Sequence, residues 1–532
     1  MKALFTAVLL ALGSVGSASA ATLSVGPGKT YAAPCAAIAA AKDGDTIEIA
    51  GGNTYKGDVC KIVRNGLTIR GVGVRPKIDA AGKISGDKAI WVVDGNDLTV
   101  ENVEMFGAKS PFSGNGAAFR LEAINFTLRN SFLHDNENGI LSNSVPTSNI
   151  LIEYSEFGHN GRGDGQTHNL YIGRSKSLTF RYNYSHDANV GHDLKSRAMM
   201  NMITYNRFSS TPPGQIGSTA SGQPSYEIDI PNAGDTYIIG NIIEQPAANQ
   251  NPAIIAYGEE GATNGTDRLY VINNTFMNDY NSGTFMFISG NVVTPAIVQN
   301  NIFVGGGVLS TNSKTIFKNN FRANPDFFVN YAAYDLRPMN SALVVNAASN
   351  PGLSATGVSL TPVSQYKATA AGEARPVVGA LDIGAFEATA EGASTLAATW
   401  TKCAAEGATC RFTGTREVRY GSADIATSKI FTDSAVCGRP PFTFDPAPGV
   451  VKTCSYSSAT TVMPPVAPSS SWIACAGEGG TCTFTGTRDV RYGTATSYVI
   501  KTFTGSVACT NTVFGDPAHG YVKTCSYSSS VK

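Results

Sequence analysis

The feature that most limits how this chain can fold is a short strand pattern that recurs over residues 98–319. Each unit is an alternating strand that ends in Asn or Tyr and is followed by a turn, and the closing residues lie 19–35 residues apart. The units are residues 98–102, 126–130, 150–154, 178–182, 202–206, 237–241, 270–274, 296–300 and 315–319. A period of about 25 residues with one such unit per repeat indicates a solenoid.

The repeats contain no convincing amphipathic helix, which disfavours leucine-rich and helical solenoids. The whole chain has 56 Gly and only 15% charged residues, which favours an all-β fold class. Together with the repeats this predicts a right-handed parallel β-helix, in which the closing Asn side chains hydrogen-bond from coil to coil. A second strand series follows at residues 139–142, 253–256 and 285–288. The alternative is an antiparallel β-sandwich or propeller. Residues 21–66, with a helix predicted at 36–42, are expected to cap the first coil.

The chain divides into six parts. An apolar run after Lys2 that ends in small residues is typical of a secretion signal and is too short to span a membrane. A stretch of 22 residues from Trp400 recurs 72 residues later, which indicates a duplicated module. The predicted parts are the signal peptide 1–20, the β-helix 21–387, a linker 388–398, a first small module 399–458, a Pro/Ser linker 459–471 and a second module 472–532.

The ten cysteines predict disulfides, as expected for an exported protein. A Cys35–Cys60 bridge would tie the cap to the first coils. Each module of about 60 residues has four cysteines, enough for two bridges that stabilise a core too small to stand alone. Their connectivity stays open; the residues concerned are Cys403, Cys410, Cys437 and Cys454 in the first module, and Cys475, Cys482, Cys509 and Cys525 in the second.

The formal net charge is zero, so no global field attracts polyanions. We expect a secreted monomer that binds neither nucleic acid nor membranes. One region departs from this neutrality. Five of the six histidines fall between residues 134 and 192, and several Arg and Lys lie close by in sequence. That region would suit an acidic polysaccharide lying along the helix.

Three related segments in this region suggest a functional surface. They begin at His168, His192 and Tyr226, and each continues with a polar residue, an apolar residue and another polar or aromatic residue. Because strand side chains alternate between faces, the flanking residues of the three segments should share one outward face. In register these would form two rows, one of Asn169, Asp193 and Glu227, the other of Tyr171, Lys195 and Asp229.

The stretch from Lys195 to Phe208 carries a Lys-Ser pair, Asn201, Asn206 and Phe208 at spacings that resemble the signature of β-helical polysaccharide lyases of the alginate-lyase and chondroitinase-B type. The resemblance to this pectate-lyase-like superfamily covers residues 21–387. It implies that Lys195 removes the proton α to a uronate carboxylate. In those enzymes an arginine on the following coil assists the lysine. This chain has no counterpart of that arginine, because the segment that would carry it aligns with Ile228 to Pro231.

Elimination from a uronate requires a base, a group that neutralises the carboxylate, and an acid for the leaving oxygen. We expect Lys195 to be the base, with a pKa lowered by Arg197 and partial burial, although Asp229 acts in the opposite direction. Arg197, with His192 or a metal, would neutralise the carboxylate, and Tyr171 or His168 would be the acid. The alternative to a catalytic role is a structural one, in which Lys195 and Asp229 form a surface ion pair and the two histidines only hydrogen-bond within their turns.

Other groups complete the predicted site. Asp193, Glu227 and Asp229 are candidate Ca²⁺ ligands, or would run glycoside hydrolysis or epimerisation instead. Arg174 is a further candidate for contacting the polymer. In the modules, sugar rings would stack on Trp400 and Trp472, and on Tyr420 and Tyr492, unless each Trp packs on a disulfide. A non-catalytic adhesin or glycan-binding protein is the third alternative.

Overall fold

The computed structural model describes residues 20–209, 224–331, 334–338, 343–376, 378–388, 399–458, 472–494, 498–515 and 522–528. The predicted signal peptide, apart from its last residue, lies outside this part of the chain. So do nearly all of the first predicted linker and the whole of the second.

Three long sheets, each parallel throughout the β-helix, run along one solenoid, and each coil contributes one strand to each sheet in turn. The first sheet has twelve strands: Thr22–Val25, Thr46–Ala50, Thr68–Val72, Leu98–Glu101, Phe126–Arg129, Val145–Glu153, Ser175–Arg181, Met200–Thr204, Asp235–Ile239, Leu269–Ile272, Ile297–Gln299 and Ile316–Lys318. The predicted strand repeat is this sheet, and the predicted parallel β-helix is confirmed.

The second sheet begins with eleven strands of the solenoid: Thr54–Lys56, Lys77–Asp79, Glu104–Phe106, Phe132–His134, Glu156–Gly158, Tyr184–His186, Arg207–Ser209, Ile242–Gln245, Thr275–Asn278, Ile302–Val304 and Asn320–Ala323. The third sheet has ten strands: Cys60–Ile62, Ala89–Val93, Ala117–Leu121, Asn138–Ser142, Leu170–Ile172, Leu194–Ser196, Ile228–Ile230, Ala253–Tyr257, Thr284–Ile288 and Val308–Ser310. The second strand series expected from the sequence belongs to this third sheet.

The core of the solenoid consists of columns of like side chains, because each strand is in register with its counterpart one coil away. Val100, Leu128, Ile152 and Phe180 are consecutive partners in the first sheet, and none is exposed to solvent. Burying such a column removes apolar surface from water on every coil, which is the main driving force for stacking.

A ladder of buried asparagines fixes the bend between the first and second sheets. The main-chain N–H of each member donates to the Oδ1 of the next at 2.8–2.9 Å, so the bent backbone remains hydrogen-bonded. The residue before each member has a positive φ, which turns the chain. The predicted coil-to-coil Asn ladder is present, with the predicted closing residues Asn206, Asn241 and Asn274 as members. Its other members, Asn183, Asn301 and Asn320, lie one residue after the predicted closing residue, which in those coils has the positive φ.

The first end of the solenoid is covered by the helix Pro34–Ala40, which buries Ala37 and Ile38. The helix begins two residues before the predicted start because proline is suited to the first helical position. The expected disulfide between Cys35 and Cys60 is present and joins the helix to the third sheet.

The first module closes the other end. Its strand Ile425–Val436 pairs in parallel with Asn320–Ala323, so the second sheet runs on into the module. Ile425 and Ala447 join the core of the solenoid. The sequence places the closure in residues 325–387, but residues 354–376 and 378–388 instead cross the outside of the coils, where Asn273 donates to the main chain of Asp382. The exposed sheet edge needs a strand as partner, and the module supplies one.

Both modules are four-stranded antiparallel sheets with two disulfides each. The first contains Trp400–Ala405, Thr409–Gly421, Ile425–Val436 and Thr453–Ser457, and the second contains Trp472–Gly477, Thr481–Gly493, Tyr498–Ala508 and Thr524–Ser528. The bridges join Cys403 to Cys410, Cys437 to Cys454, Cys475 to Cys482 and Cys509 to Cys525. The connectivity left open by the sequence is thus the same in both copies.

The remaining elements are small. They are the hairpins Phe328–Asn330 with Asp335–Pro338 and Ser364–Lys367 with Ala371–Ala374, the 3₁₀ turn Pro325–Phe327 and the helix Asn511–Phe514. Within the described ranges, no helix has both the length and the apolar character needed to cross a membrane.

Candidate active site on the third sheet

One of the two predicted rows is present on the outside of the third sheet. Tyr171, Lys195 and Asp229 are direct partners on three consecutive strands. The residue before each of them, Leu170, Leu194 or Ile228, is fully buried in the core. Alternation along a strand therefore places the three polar side chains on the outer face, as expected.

The second predicted row is wrong. Asn169, Asp193 and Glu227 are completely buried, because they precede their strands and lie at the bend between the second and third sheets. There they continue an inner polar ladder in which Asn169 Nδ2 donates to Asp193 Oδ1 at 3.0 Å. Strand alternation does not extend past a bend, so these side chains turn inward and cannot contact a polymer.

Burial also changes the charge of these inner carboxyl groups. It raises the pKa of Asp193 to about 7, and that of Glu227 well above its usual value, with the nearby Asp193 adding to the second effect. Asp193 and Glu227 turn into the core whereas Asp229 lies on the outer face, so in the described structure these three carboxylates do not converge on one point as the Ca²⁺ prediction requires.

Lys195 is held by two carboxylates. Its Nζ lies 2.6 Å from Asp229 Oδ2 and 3.1 Å from Glu260 Oε1, and only 10% of its side chain is exposed. Burial works to lower the pKa of Lys195, but the charges of Asp229 and Glu260 outweigh it, so this pKa lies above its usual value. The expected lowering by Arg197 is wrong, because the ion pair with Asp229 decides the charge of the amine.

Arg197 lies beside Lys195 and shares one of its partners. Its guanidinium donates to Tyr171 Oη at 2.7 Å, to Asn232 Oδ1 at 2.7 Å and to Glu260 Oε1 at 2.9 Å. Burial opposes its charge, but the hydrogen bonds to Glu260 and Tyr171 raise the pKa of Arg197 above its usual value. Arg197 is thus fixed in place at the end of its strand.

The sequence did not point to Glu259 and Glu260, which come from the turn after Ala253–Tyr257. Burial, then the nearby Asp229, raises the pKa of Glu259 to about 8, whereas the hydrogen bond from Arg197 lowers the pKa of Glu260. Asp229 Oδ1 and Glu259 Oε2 are buried and accept no hydrogen bond from a nitrogen or hydroxyl donor. The sequence did hold one signal for these residues, because two adjacent acidic residues after an apolar strand are unusual in a chain with few charges.

The two predicted catalytic histidines support the backbone instead. The main-chain N–H of His192 donates to His168 Nδ1 at 3.0 Å, and that of Tyr226 donates to His192 Nδ1 at 3.1 Å. Burial lowers the pKa of His168 to about 3 and that of His192 well below its usual value. Both rings are neutral at pH 7, so His192 cannot supply positive charge to a uronate and His168 is not a cationic acid.

The remaining predicted contacts lie apart from this cluster. Arg174 is exposed. Trp400 packs against the apolar cluster at the end of the β-helix, and Trp472 lies under the guanidinium of Arg491 at 5.0 Å. Sugar stacking on Tyr420 and Tyr492 is wrong, because both rings are buried in the module cores, where their hydroxyls donate to Glu406 and Glu478.

No protein-family model matches the chain. Among solved structures it is similar to the crystal structure of pectate lyase Pel9A, at 15% identity and a TM-score of 0.48, over 70% of this chain and 98% of the lyase. It is also similar to pectin methylesterase PemA from Erwinia chrysanthemi, at 12% identity and a TM-score of 0.30, over 59% of this chain and 92% of the esterase. Likenesses this distant carry no argument about the reaction.

Proposed function

We propose that this protein is an exported polysaccharide lyase that cleaves a uronate-containing polymer by β-elimination. The observation that carries the proposal is the outward row of Tyr171, Lys195 and Asp229, with Arg197 fixed beside it. This row lies on the outer face of a long parallel sheet, and Arg197 beside it keeps 22% of its side chain exposed to solvent, where a polymer could reach it. The disulfides support export, since such bridges persist in oxidising compartments.

The chemistry assigns one task to each side chain. The neutral amine of Lys195 would take the C5 proton, the electrons of that bond would form the C4–C5 double bond, and the C4–O4 bond would break. Tyr171 would give its proton to the leaving O4. Because the Tyr171 hydroxyl oxygen accepts a hydrogen bond from Arg197, its own proton is free to point to the substrate. The Arg197 guanidinium would hold the C6 carboxylate.

Lys195 must lose a proton before it can act as a base. In this structure two carboxylates hold it as an ammonium group. Withdrawal of these carboxylates from the amine on substrate binding would leave it buried and without a counter-charge, and both effects lower a lysine pKa. The polymer's own carboxylate would then be bound by Arg197 rather than by Lys195.

The Ca²⁺ expected from the sequence stays a proposal, and its oxygens would come from the acidic residues around Lys195. Asp229 and Glu260 contact the Lys195 amine, and burial keeps the pKa of Glu259 at about 8, so that its carboxyl group hydrogen-bonds to Asp229. Ca²⁺ would have to displace that proton and the amine. Carboxylate oxygens are the ligands that Ca²⁺ prefers. A bound Ca²⁺ would supply positive charge next to the uronate carboxylate.

A glycoside hydrolase is the second candidate, and one observation favours it. Glu259, with a pKa raised to about 8 by burial and Asp229, is protonated at neutral pH, whereas Glu260 is ionised. Two carboxyl groups whose pKa values differ in this way suit a general acid and a general base. In that reaction Glu259 would protonate the glycosidic oxygen.

Incubation with a panel of uronate polymers distinguishes these functions. A lyase gives ultraviolet absorbance from the new double bond, a hydrolase gives reducing ends without it, and a binding protein gives neither. We expect the absorbance, and we expect Lys195→Ala to lower kcat about 10³-fold while polymer binding persists. The control is Lys176→Ala, which removes an exposed lysine outside the cluster. Full activity of Lys195→Ala would refute the lysine base.

A further inference from the structure

A second group of side chains lies at the bend that follows the second sheet, away from the outward row. His159 follows the strand Glu156–Gly158, and Asp187 follows Tyr184–His186 one coil later. His186 Nδ1 lies 2.8 Å from Asp187 Oδ2, and His159 Nε2 lies 3.6 Å from the same oxygen. One ligand atom from each of the three residues lies within 4.8 Å of the others.

We propose that His159, His186 and Asp187 bind a Zn²⁺ ion. Two imidazole nitrogens and one carboxylate oxygen are a ligand set that Zn²⁺ accepts, whereas Ca²⁺ prefers oxygen alone. Zinc bonds of about 2.0–2.2 Å in a tetrahedral site place the ligand atoms roughly 3.4 Å apart. The 3.6 Å separation of His159 and Asp187 already matches this spacing. The contact between His186 and Asp187 has to open by about 0.6 Å, which a side-chain rotation provides.

His186 has a carboxylate at each of its two ring nitrogens. Its other ring nitrogen, Nε2, lies 3.3 Å from Glu156 Oε1, on the neighbouring strand of the sheet. Burial opposes the charge of this ring, but the hydrogen bonds to Asp187 and Glu156 outweigh it and raise the pKa of His186 to about 9. A Zn²⁺ ion would therefore displace the proton on Nδ1, while Glu156 would keep the proton on Nε2. Zinc-binding histidines commonly donate their second N–H to a carboxylate in this way, which fixes the tautomer and the ring orientation.

The backbone holds the group in place and leaves one side accessible. His159 and Asp187 have φ values of 54° and 52°, and these turns bring the two residues together from successive coils. The side chain of Asp187 is 2% exposed, whereas that of His159 is 21% exposed. An ion would enter from the His159 side and keep a water molecule as its fourth ligand. It would join two consecutive coils at the bend that leads into the strand of Lys195.

The neighbouring coil provides a matched control. His134 pairs with Gly158 in the same register column, and Gly158 pairs with His186. His134 also has acidic neighbours of the same kind, with Nδ1 2.6 Å from Asp135 and Nε2 3.4 Å from Glu104. Among the residues that the structure describes, however, His134 belongs to no group of three ligand atoms within 4.8 Å.

The test is a Zn²⁺ titration of the full-length protein, without a polyhistidine tag, by calorimetry after removal of metals with a chelator. We expect one equivalent bound, and intense visible bands when Co²⁺ replaces Zn²⁺, as a tetrahedral site gives. His159→Ala should weaken binding at least 100-fold, Glu156→Gln roughly 10- to 100-fold, and His134→Ala should leave the affinity unchanged.

Two results would overturn the proposed Zn²⁺ site. Wild-type protein that binds no Zn²⁺, or a His134→Ala variant that loses as much affinity as His159→Ala, rules out this site. Glu156→Gln keeps the test decisive if His159→Ala fails to fold, because it retains all three ligands. Unchanged affinity in Glu156→Gln would then count against the proposal.

Discussion

Replacing Asp229 with Asn should lower the pKa of Lys195 and make its amine more reactive. Asp229 is the nearer of the two carboxylates at the amine, 2.6 Å away, and it is fully buried. Asn keeps the shape and a hydrogen-bond acceptor but removes the negative charge. The burial that already disfavours the ammonium form would then be opposed by Glu260 alone.

The size of the change follows from the contact that is lost. A hydrogen bond between charged groups is worth about 1.5–3 kcal/mol, which corresponds to roughly 1–2 pKa units. Part of this is restored, because without Asp229 the pKa of Glu259 falls and more of its carboxyl group becomes ionised near the amine. We therefore expect the pKa of Lys195 to fall by about one unit, which gives roughly tenfold more free amine below the pKa.

Trace labelling with acetic anhydride measures this without any substrate. The rate at Lys195 is followed by mass spectrometry of its peptide from pH 8 to 12, a range that includes a lysine pKa above the usual value, and divided by the rate at the exposed Lys176 of the same sample. The midpoint of the ratio should fall by about one pH unit in Asp229→Asn. If the protein is a lyase, the acid limb of its kcat/KM profile should move in the same direction.

Asp229→Glu is the matched control, since it keeps the charge beside the amine. Its labelling midpoint should remain close to that of the wild type. An unchanged or higher midpoint in Asp229→Asn would refute the reasoning, because it would mean that the ion pair does not determine the charge of Lys195.

Three further predictions concern stability. Glu153→Gln should lower the free energy of unfolding by about 1–2 kcal/mol at pH 7. Burial raises the pKa of Glu153, but Arg129 and Arg181, at 2.6 and 2.7 Å, outweigh it and lower this pKa. The stabilisation is therefore present above the unfolded pKa of about 4.3 and is lost as the pH falls through the folded pKa. Unfolding at pH 7 and pH 3 checks this, and an equal cost at both contradicts it. Asn241→Ala should lower the free energy of unfolding by about 4 kcal/mol, because the main-chain and side-chain N–H groups of the buried Asn206 lose their acceptor. Urea unfolding measures this, with Asn149→Ala at an exposed site as the control. Equal losses in the two variants would contradict a stabilising role of the ladder. Ile425→Asp should cost at least about 3 kcal/mol by placing an unpaired charge at the capped end of the solenoid core, and an unchanged melting temperature would show that the first module is no cap.

Much of the fold could be predicted because a solenoid repeats its contacts at the period of its sequence. Val100 meets Leu128, and Leu128 meets Ile152, one coil away each time. The spacing of apolar residues in the sequence therefore predicts which side chains are in contact. The same holds for the asparagine ladder and for the duplicated cysteines of the modules. It also holds for the outward row of Tyr171, Lys195 and Asp229, which depends only on register and alternation.

The rest of the site depends on where the chain bends and on charges from distant residues. Alternation predicted Asn169, Asp193 and Glu227 on the outer face, but a bend just before each strand turned them into the core. Glu260, which shares Lys195 with Asp229, lies 65 residues further along the chain.

By itself the sequence determined the β-helix, its repeat register and the lysine on its outer face, since these follow from local periodicity. Only the tertiary structure decided that Lys195 is an ammonium group, that His168 and His192 are neutral and that the first module caps the solenoid. Protonation depends on the summed burial and charge around a group. Capping depends on which strand reaches an open sheet edge, and neither property is written in a local pattern.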